Sequence, residues 1–352
     1  MSDSLPTADE LRAAFDRHEA VTVGLEEELM LLDPTSLDLA PRAAEVVDGL
    51  DGDPRFKIEM PAAQLEIVTA PHGSVADAAA ELAAARARLA EAVAGRFRVA
   101  GGGAHPFAQG RGPLNPGARY ESIGAEYASV AHRQLVFGLH VHVAIPGADR
   151  ALAVYNALRA HLPDLAALAA CAPFYEGRDS GLASVRSRIS GLLPRQGVPP
   201  ALASFAAYAE ALRWCAFDDP RLWWWELRLH PRYGTVEVRV PDTQATVSDT
   251  AAVASVAYAL IAGLAARHDA GERPAVAESW RIDQNRWAAC RHGLAAVMTD
   301  PFTGSRATAY DRLAAALGTD PPRLDGAARH RALAAEHGLP GLVAALADDF
   351  TR

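Results

Sequence analysis

The sequence contains only one lysine, Lys57, and all of its other basic side chains are arginines. A phosphate-binding loop that ends in Gly-Lys-Ser or Gly-Lys-Thr is therefore absent, and Schiff-base or pyridoxal chemistry would depend on Lys57 alone. Cysteine is also scarce, because Cys171, Cys215 and Cys290 lie far apart and form no Cys-x-x-Cys pair. This usage is typical of buried thiols in a reducing cytoplasm.

Long apolar runs and an excess of positive charge are lacking as well. The longest uncharged run, from Ala251 to Ala266, is too short and too rich in alanine for a good membrane span and predicts a buried core helix. The segment from Met1 to Glu10 has acidic side chains and no apolar core, so it does not resemble a secretory signal. A formal net charge of −9 argues against a nucleic-acid partner. We therefore expect a cytoplasmic protein with neither a membrane nor a nucleic-acid partner. The sequence is compatible with a homodimer.

Half of the 352 residues are hydrophobic, and no repeat, linker or composition break divides the chain. We therefore predict one domain, residues 1–352. Periodicity predicts helices over 7–18, 74–96, 148–170, 200–215, 248–268 and 279–297, and from about 326 onward. Alternation predicts strands over 21–32, 64–69, 97–103, 135–145, 222–230 and 235–240. This mixture indicates an α+β fold with an antiparallel sheet.

Carboxylates occupy one face of the first predicted strand, in which alternate residues point to opposite sides of the sheet. Glu26 and Glu28 share a face with Gly24, whose missing side chain leaves room for a large ligand. Glu27 lies on the other face among aliphatic residues, and we expect it to point toward backing helices or an exposed margin. Two carboxylates this close repel each other unless a cation lies between them, although a solvated strand face would also carry such charges.

Two further segments place polar side chains on strands that should be apolar. Glu59 and Glu66 flank a proline, and Glu66 lies inside an apolar strand. His140 and His142 share one strand face, while the alternate positions are aliphatic. A lone strand histidine is usually structural, whereas two at this spacing indicate the wall of a site.

Arginines accompany carboxylates on the last predicted pair of strands. Glu226, Arg228 and His230 share a face of the first of these strands. Glu237 and Arg239 share a face of the second. Cross-strand ion pairing alone would explain this pattern as structure, but the same pattern also suits the binding of anions.

A glycine-containing segment, residues 176–188, adds three more arginines, Arg178, Arg186 and Arg188. Such a set suits recognition of phosphate or carboxylate groups. A merely solvated loop is equally compatible with this segment taken alone.

Together, the strand carboxylates are too many for one acid–base pair and too hard for zinc. Oxygen-rich sites suit Mg²⁺ or Mn²⁺, and several such ions are needed chiefly where a nucleoside triphosphate is neutralised. Glutamates along a sheet with arginines at one end therefore indicate phosphoryl transfer from ATP without a phosphate-binding loop.

Five segments resemble, in order, motifs of the glutamate-cysteine ligase type 2 family, also called the YbdK-like carboxylate–amine ligases. They are Gly24–Glu28 (GLEEE), Gln64–Thr69 (QLEIVT), Gly138–Val143 (GLHVHV), Gly177–Ser184 (GRDSGLAS) and Gly234–Gln244 (GTVEVRVPDTQ). Each motif alone is weak, but five in order, within a resemblance that extends over about residues 20–300, are strong.

The resemblance implies a glutamine-synthetase-like core, in which a curved antiparallel sheet lines a funnel for ATP and divalent metals, with helices behind it. It also implies a reaction. ATP phosphorylates the side-chain carboxylate of an amino acid, typically glutamate, and an amine such as that of cysteine attacks the acyl phosphate to give an amide and phosphate.

The resemblance also implies roles for particular residues. Metal ligands are expected at Glu26, Glu28, Glu59, Glu66, His140 and Glu237. Arg239 is expected to contact phosphate or the charge that develops during transfer. Contacts to the substrate carboxylate or to ATP are expected at Arg178 and Arg186. Arg228 is placed with them because of its position on the strand pair that suits anion binding, and so is His142, which has no defined family role.

Two other functions are compatible with these residues. A metal-dependent hydrolase could use His140 and His142 as ligands, although such sites usually favour more histidines and a single activating carboxylate. A catalytically inactive nucleotide-binding module is the second alternative. Metal content would separate the hydrolase from the ligase. Zinc held without nucleotide favours the hydrolase, and Mg²⁺ retained only with ATP favours the ligase.

Overall fold

A computed structural model describes residues 5–215 and 222–352, and an antiparallel sheet lies at its centre. The strands of the described residues are β1 (Thr22–Leu32), β2 (Phe56–Ile58), β3 (Gln64–Val68), β4 (Arg98–Ala100), β5 (Leu139–Ala144), β6 (Phe174–Tyr175), β7 (Arg178–Asp179), β8 (Leu227–His230), β9 (Thr235–Val238), β10 (Val297–Thr299) and β11 (Arg306–Thr308). The main sheet has the order β2-β3-β1-β5-β9-β8, and β4 pairs with the end of β1. Strands β6 and β7 form one small hairpin, and β10 and β11 form another.

Helices surround this sheet. Those of the described residues are α1 (Ala8–Asp16), α2 (Ala43–Asp48), α3 (Val75–Val93), α4 (Ala118–Tyr127), α5 (Ala148–Leu158), α6 (Leu162–Ala169), α7 (Arg186–Ser190), α8 (Phe205–Cys215), α9 (Val247–Asp269), α10 (Ser279–His292), α11 (Ala309–Leu317) and α12 (Gly326–Asp348). Ser74 caps α3, because its side chain accepts a hydrogen bond from the backbone N–H of Asp77.

The two faces of the sheet differ sharply in chemistry, because side chains alternate along each strand. The back face is aliphatic, and helices α3, α5 and α9 pack against it. Its buried aliphatic residues include Val23, Leu25, Leu29 and Leu31 on β1, Leu65 and Ile67 on β3, Leu139, Val141 and Val143 on β5, and Val236 and Val238 on β9, and Glu27 of β1 is a buried charge among them. The front face carries the polar side chains, so the hydrophobic core holds the sheet from behind and leaves the polar face for a site.

Some predicted element boundaries are wrong. The helix predicted over 148–170 is divided into α5, a 3-10 turn at Arg159–His161 and α6, and Pro163 lies in the first turn of α6. Proline is tolerated there but would break a helix interior, so the division follows from the sequence. The helix predicted over 279–297 ends at His292, because Gly293 adopts a φ of 56°, which favours glycine.

Helix α9 corresponds to the apolar run that the sequence predicts as a core helix. By length and composition it could cross a membrane, but half of its most apolar stretch is buried inside the protein. Val253, Leu260 and Ile261 belong to the main hydrophobic core. The helix therefore contributes to the interior that backs the sheet.

Candidate active site

The register of the antiparallel strands brings six polar side chains together on the front face of the sheet. Glu28 lies opposite Glu66 across β1 and β3. The other opposed pairs are Glu26 with His140 and His142 with Glu237. We call these six residues, Glu26, Glu28, Glu66, His140, His142 and Glu237, the carboxylate–histidine cluster.

Two groups of three ligands within this cluster could each hold a cation. Glu26, Glu66 and His140 offer atoms that all lie within 4.8 Å of one another. Glu26, His142 and Glu237 do the same. Because Glu26 belongs to both groups, it lies between two candidate metal positions.

His140 and His142 are both buried beside Glu26 but differ in their ionisation. His140 Nδ1 lies 3.1 Å from Glu26 Oε2, and His142 Nε2 lies 3.2 Å from Glu26 Oε1. Burial and the charge of Arg239 lower the pKa of His140 to about 4. Burial also opposes protonation of His142, but Glu26 and Glu237 outweigh it and raise the pKa of this side chain. The same histidines outweigh the effect of burial on Glu26 and hold its carboxyl pKa well below the usual range.

Two other carboxylates of the cluster, Glu66 and Glu28, are less fully compensated. Burial, with the charges of Glu26 and Glu59, raises the pKa of Glu66 well above its usual value. Burial also raises the pKa of Glu28 to about 7, with a further contribution from Glu59, while Arg186 opposes the shift. Buried carboxylates with raised pKa values are stabilised as anions by an added positive charge. The cluster therefore favours cation binding.

The histidines give a direct test of whether a metal fits. The Nε2 atoms of His140 and His142 are buried, and neither makes a hydrogen bond of proper geometry to any described residue. His142 Nδ1 lies 2.9 Å from Thr235 Oγ1, which fixes the ring and leaves Nε2 toward the carboxylates. One anchored and one available nitrogen is the usual arrangement of a metal-binding histidine. Carboxylate oxygens, which outnumber the imidazole nitrogen in each ligand group, suit Mg²⁺ or Mn²⁺.

Arginines from β8 and β9 hold Glu237 from both sides. Arg228 Nε donates to Glu237 Oε2, and Arg239 Nη1 donates to Glu237 Oε1. Arg228 is buried and also donates to the carbonyl oxygen of Trp223, so it serves to position Glu237. Arg239 also has its Nη1 3.3 Å from His140 Nδ1 and reaches a cavity beside the cluster.

That cavity, which we call the arginine cavity, has a volume of about 110 Å³ and lies at the Glu28 end of the cluster. Its charged lining residues are Glu28, Glu59, Arg119, Arg186, Glu226 and Arg239. Positive and negative groups therefore face the same small space. This combination suits a zwitterionic ligand such as an amino acid.

Arg186 reaches the arginine cavity across the start of β5. Its guanidinium donates to the carbonyl oxygens of Val240 and Arg239. A β-carbon at Gly138 would lie 2.0 Å from Arg186 Nη2. A side chain at position 138 would therefore displace the Arg186 guanidinium from its present position.

A second cavity, the Tyr233 cavity, has a volume of about 350 Å³ and lies at the other end of the cluster. Gly24, Glu26, His142 and Tyr233 are among its lining residues. The Tyr233 ring stacks on His230, with centroids 4.2 Å apart and planes at 13°. Gly24 leaves this side of the sheet open, as its position in the sequence predicts.

The structure does not bring every predicted residue to the cluster. Arg178 is exposed on the β6–β7 hairpin and lines a separate open depression. Glu226 precedes β8, which begins only at Leu227 instead of residue 222, and it forms a buried ion pair with Arg286 of α10. Glu59 follows β2 and lines the arginine cavity, but it belongs to neither of the two ligand groups.

Other site residues were missed by sequence reasoning. Gln64 lies on the front face of β3 and lines the arginine cavity, together with Arg119 and Tyr120 of α4. Strand parity could have found Gln64, because it lies two residues before Glu66. Nothing in the sequence indicates that α4 approaches the sheet.

Glu27 points away from the cluster, as strand parity predicts, and toward the backing helices rather than an exposed margin. It forms a fully buried ion pair with Arg86 of α3, at 2.8 Å and 2.7 Å. Thr250 of α9 donates to Glu27 Oε1 at 2.6 Å. Arg86 also donates to the carbonyl oxygens of Gln244, Ala245 and Phe350. This network joins the strand of Glu26 and Glu28 to the segment after β9 and to the C-terminal end.

Comparison with known proteins gives consistent similarities. A family model described as glutamate-cysteine ligase family 2 (GCS2) matches residues 22–342. A Rubrobacter xylanophilus protein, named provisionally as a glutamate–cysteine ligase 2-3, is 40% identical over 314 residues, which cover 86% of this chain and 84% of that protein. A Thermobifida fusca protein, named provisionally as a glutamate–cysteine ligase 2, is 34% identical over 311 residues, which cover 85% of this chain and 78% of that protein.

Solved structures share the fold at low sequence identity. A glutamate–cysteine ligase from Francisella tularensis, solved in complex with AMP, has a TM-score of 0.71 at 14% identity and covers 94% of this chain and 88% of its own. A bifunctional glutathione synthetase from Pasteurella multocida has a TM-score of 0.65 at 15% identity, and the match covers 97% of this chain and 52% of that one. These similarities confirm the predicted fold class.

Proposed function

This chain belongs to glutamate-cysteine ligase family 2, and we propose that it is an ATP-dependent carboxylate–amine ligase. In this proposal ATP phosphorylates the side-chain carboxylate of an amino acid, with glutamate as the first candidate. The amine of cysteine or of another amino acid then displaces the phosphate. We place this activity in the cytoplasm and in a single catalytic domain formed by the whole chain.

The observation that carries this proposal is a cluster of cation ligands between two cavities. Glu26 and His142 face the Tyr233 cavity, and Glu28 and Arg239 face the arginine cavity. Transfer of a phosphoryl group requires the donor and the acceptor to be held in line, with the phosphate charge neutralised. A cluster of cation ligands with a cavity on each side supports the proposal, because it could hold the two substrates next to the bound cations.

We assign the nucleotide to the Tyr233 cavity and the carboxylate substrate to the arginine cavity. The larger cavity has an aromatic wall, since Tyr233 is held flat against His230 and can stack on a base. The smaller cavity presents three arginines and three carboxylates, which match the opposite charges of an amino acid. The γ-phosphate of a nucleotide bound in this way would lie beside Glu26 and His142, the two residues of the cluster that line this cavity.

The reaction needs activation because a carboxylate is a poor electrophile. The γ-phosphorus of ATP bonds to a carboxylate oxygen as its bond to the oxygen of the ADP leaving group breaks. The amine nitrogen then bonds to the acyl carbon, the bond from that carbon to the phosphate oxygen breaks, and the nitrogen loses a proton to solvent. The products are ADP, phosphate and an amide, and no nucleophilic side chain is required.

Mg²⁺ or Mn²⁺ bound in the cluster would supply the charge neutralisation that the ATP phosphates need. The six residues of the carboxylate–histidine cluster are the proposed ligands, with Glu59 beside them. The sequence places His142 among the substrate contacts. We propose it instead as a metal ligand, because it completes the group with Glu26 and Glu237. Arg228 supports the site by positioning Glu237, and Arg186 is available to an anionic group in the arginine cavity.

Release of ADP by the purified protein tests the proposed function. We expect ADP formation with ATP and Mg²⁺ to rise when both a carboxylate and an amine are supplied, with glutamate first and the amino acids varied as amines. Mass detection of the amide identifies the acceptor. EDTA should stop turnover and excess Mg²⁺ or Mn²⁺ should restore it. Turnover that is unchanged by EDTA would contradict the proposal.

Replacement of Arg239 with lysine tests its role in the transfer. Lysine keeps one charge but loses the planar fork that contacts Glu237 and the arginine cavity. We expect kcat to fall on the order of 10²-fold, as for loss of one preorganised donor. Arg312→Lys is a matched control, because Arg312 pairs with Asp164 on α6, away from the cluster. Wild-type kcat in a folded Arg239→Lys variant would refute the assignment.

A further inference from the structure

Gln64 is a buried amide whose oxygen accepts no hydrogen bond from the part of the chain that the structure describes. The residue is only 3% exposed and lies on the front face of β3, opposite Met30 of β1. Its side chain lines the arginine cavity together with Glu28 and Glu59. Within residues 5–215 and 222–352, Gln64 Oε1 has no hydrogen-bond partner although it is buried.

The side-chain nitrogens of two other buried amides nearby have partners within the protein. Gln134 donates to the carbonyl oxygens of Val130 and Ile189. Asn115 donates to the carbonyl oxygens of Glu59 and Pro61. Buried polar atoms are almost always hydrogen-bonded, so an unpaired oxygen on an amide that lines a cavity points to a ligand that donates to it once the amide turns toward the cavity.

We propose that Gln64 binds the α-ammonium group of the amino acid that supplies the carboxylate. This inference rests on the proposed function. An ammonium group has three donors and needs acceptors, and Glu59 at the same cavity supplies a second one with an opposite charge. Arg119 and Arg186 line that cavity too and suit the α-carboxylate of the same amino acid.

The position of Gln64 along the strand fits this role. Gln64 lies two positions before Glu66 of the cluster, which corresponds to about 7 Å along β3. The reacting carboxylate of glutamate must approach the cluster, and the α-ammonium group lies at the other end of the same short side chain. Gln64 therefore binds the end of the substrate that does not react. This contact makes the site specific for amino acids over simple dicarboxylates.

The test compares Gln64→Leu with the wild-type protein on an amino acid and on its counterpart without the amino group. Glutamate with glutarate and aspartate with succinate are the two pairs. We expect Gln64→Leu to lower kcat/KM for the amino acid about 10- to 100-fold, the usual range for one hydrogen bond to a charged group. The value for the dicarboxylate should change less than about 3-fold. Calorimetric titration of the same compounds without ATP should give the same difference in affinity.

Asn285→Leu is the matched control, because Asn285 is a buried amide of α10 away from the arginine cavity, whose nitrogen donates to the carbonyl oxygen of Thr299 and whose oxygen accepts from the Thr299 N–H. It should alter the two members of a substrate pair equally. Three results for Gln64→Leu would each overturn the assignment. They are an equal loss of kcat/KM on both members of a substrate pair, an effect confined to the KM of the amine acceptor, and a raised Mg²⁺ requirement alone. Absence of ADP release from the wild-type protein would instead overturn the proposed function, and the calorimetric comparison would still test Gln64.

Discussion

Replacing Glu26 with glutamine is expected to remove most ADP formation, by at least about 100-fold. Glu26 belongs to both candidate metal groups and lies within 3.2 Å of both histidines. Glutamine keeps the shape of the side chain but removes the negative charge that both positions share. Loss of a residue that only supports a ligand already costs about 10- to 100-fold, so loss of a shared ligand should cost at least as much.

Glu28→Gln should behave in the same direction, because Glu28 borders the arginine cavity and lies opposite Glu66. Both variants should require a higher Mg²⁺ concentration for half-maximal ADP release. A Mg²⁺ titration of each variant, with melting curves to verify folding, measures the effect. If Glu26→Gln keeps its activity and its Mg²⁺ requirement, the two metal groups are not used in the reaction.

Replacing Glu27 with glutamine should affect stability rather than chemistry. The substitution leaves the Arg86 guanidinium buried without its carboxylate, on the opposite face of β1 from the cluster. Breaking a buried ion pair by removing one partner typically costs about 3–5 kcal/mol of unfolding free energy. We expect a loss of this size, with kcat within a few-fold of wild type at temperatures where the variant is folded.

A double-mutant cycle with Arg86→Met measures this pair directly. The two substitutions together should cost less than the sum of the single losses, because the double variant buries no unpaired charge. Some loss should remain, since Arg86 also binds the carbonyl oxygens of Gln244, Ala245 and Phe350. Urea unfolding gives the free energies. A larger loss of kcat in Glu27→Gln than in Glu26→Gln would show that the faces of β1 are reversed.

Strand parity in the sequence predicted which face each glutamate of β1 occupies, because alternation is a local property of an extended chain. The same rule separates the histidines of β5 from its buried aliphatic residues. Parity could not provide the register between strands. The pairing of Glu26 with His140 joins residues 114 positions apart and depends on the packing of the whole sheet.

Contacts from helices were beyond sequence reasoning for a similar reason. Arg86 lies 59 residues from Glu27 and looks like an ordinary helix residue in the sequence. Arg178 belongs to a family-like motif, yet the β6–β7 hairpin holds it in a separate depression. A charged residue within a sequence motif helps to identify the family. Its position in the structure depends on how the strand or helix that carries it packs.

Transfer of ¹⁸O from the donor carboxylate to phosphate is the most direct test of the proposed ligase reaction. The substrate carboxylate is labelled, the reaction is run with ATP, Mg²⁺ and an amine, and the phosphate, nucleotide and amide are analysed by mass spectrometry. Passage through an acyl phosphate predicts one labelled oxygen in the released phosphate, because the amine displaces phosphate together with a carboxylate oxygen. Label in AMP would indicate adenylation instead, and label found only in the amide would contradict the acyl-phosphate route.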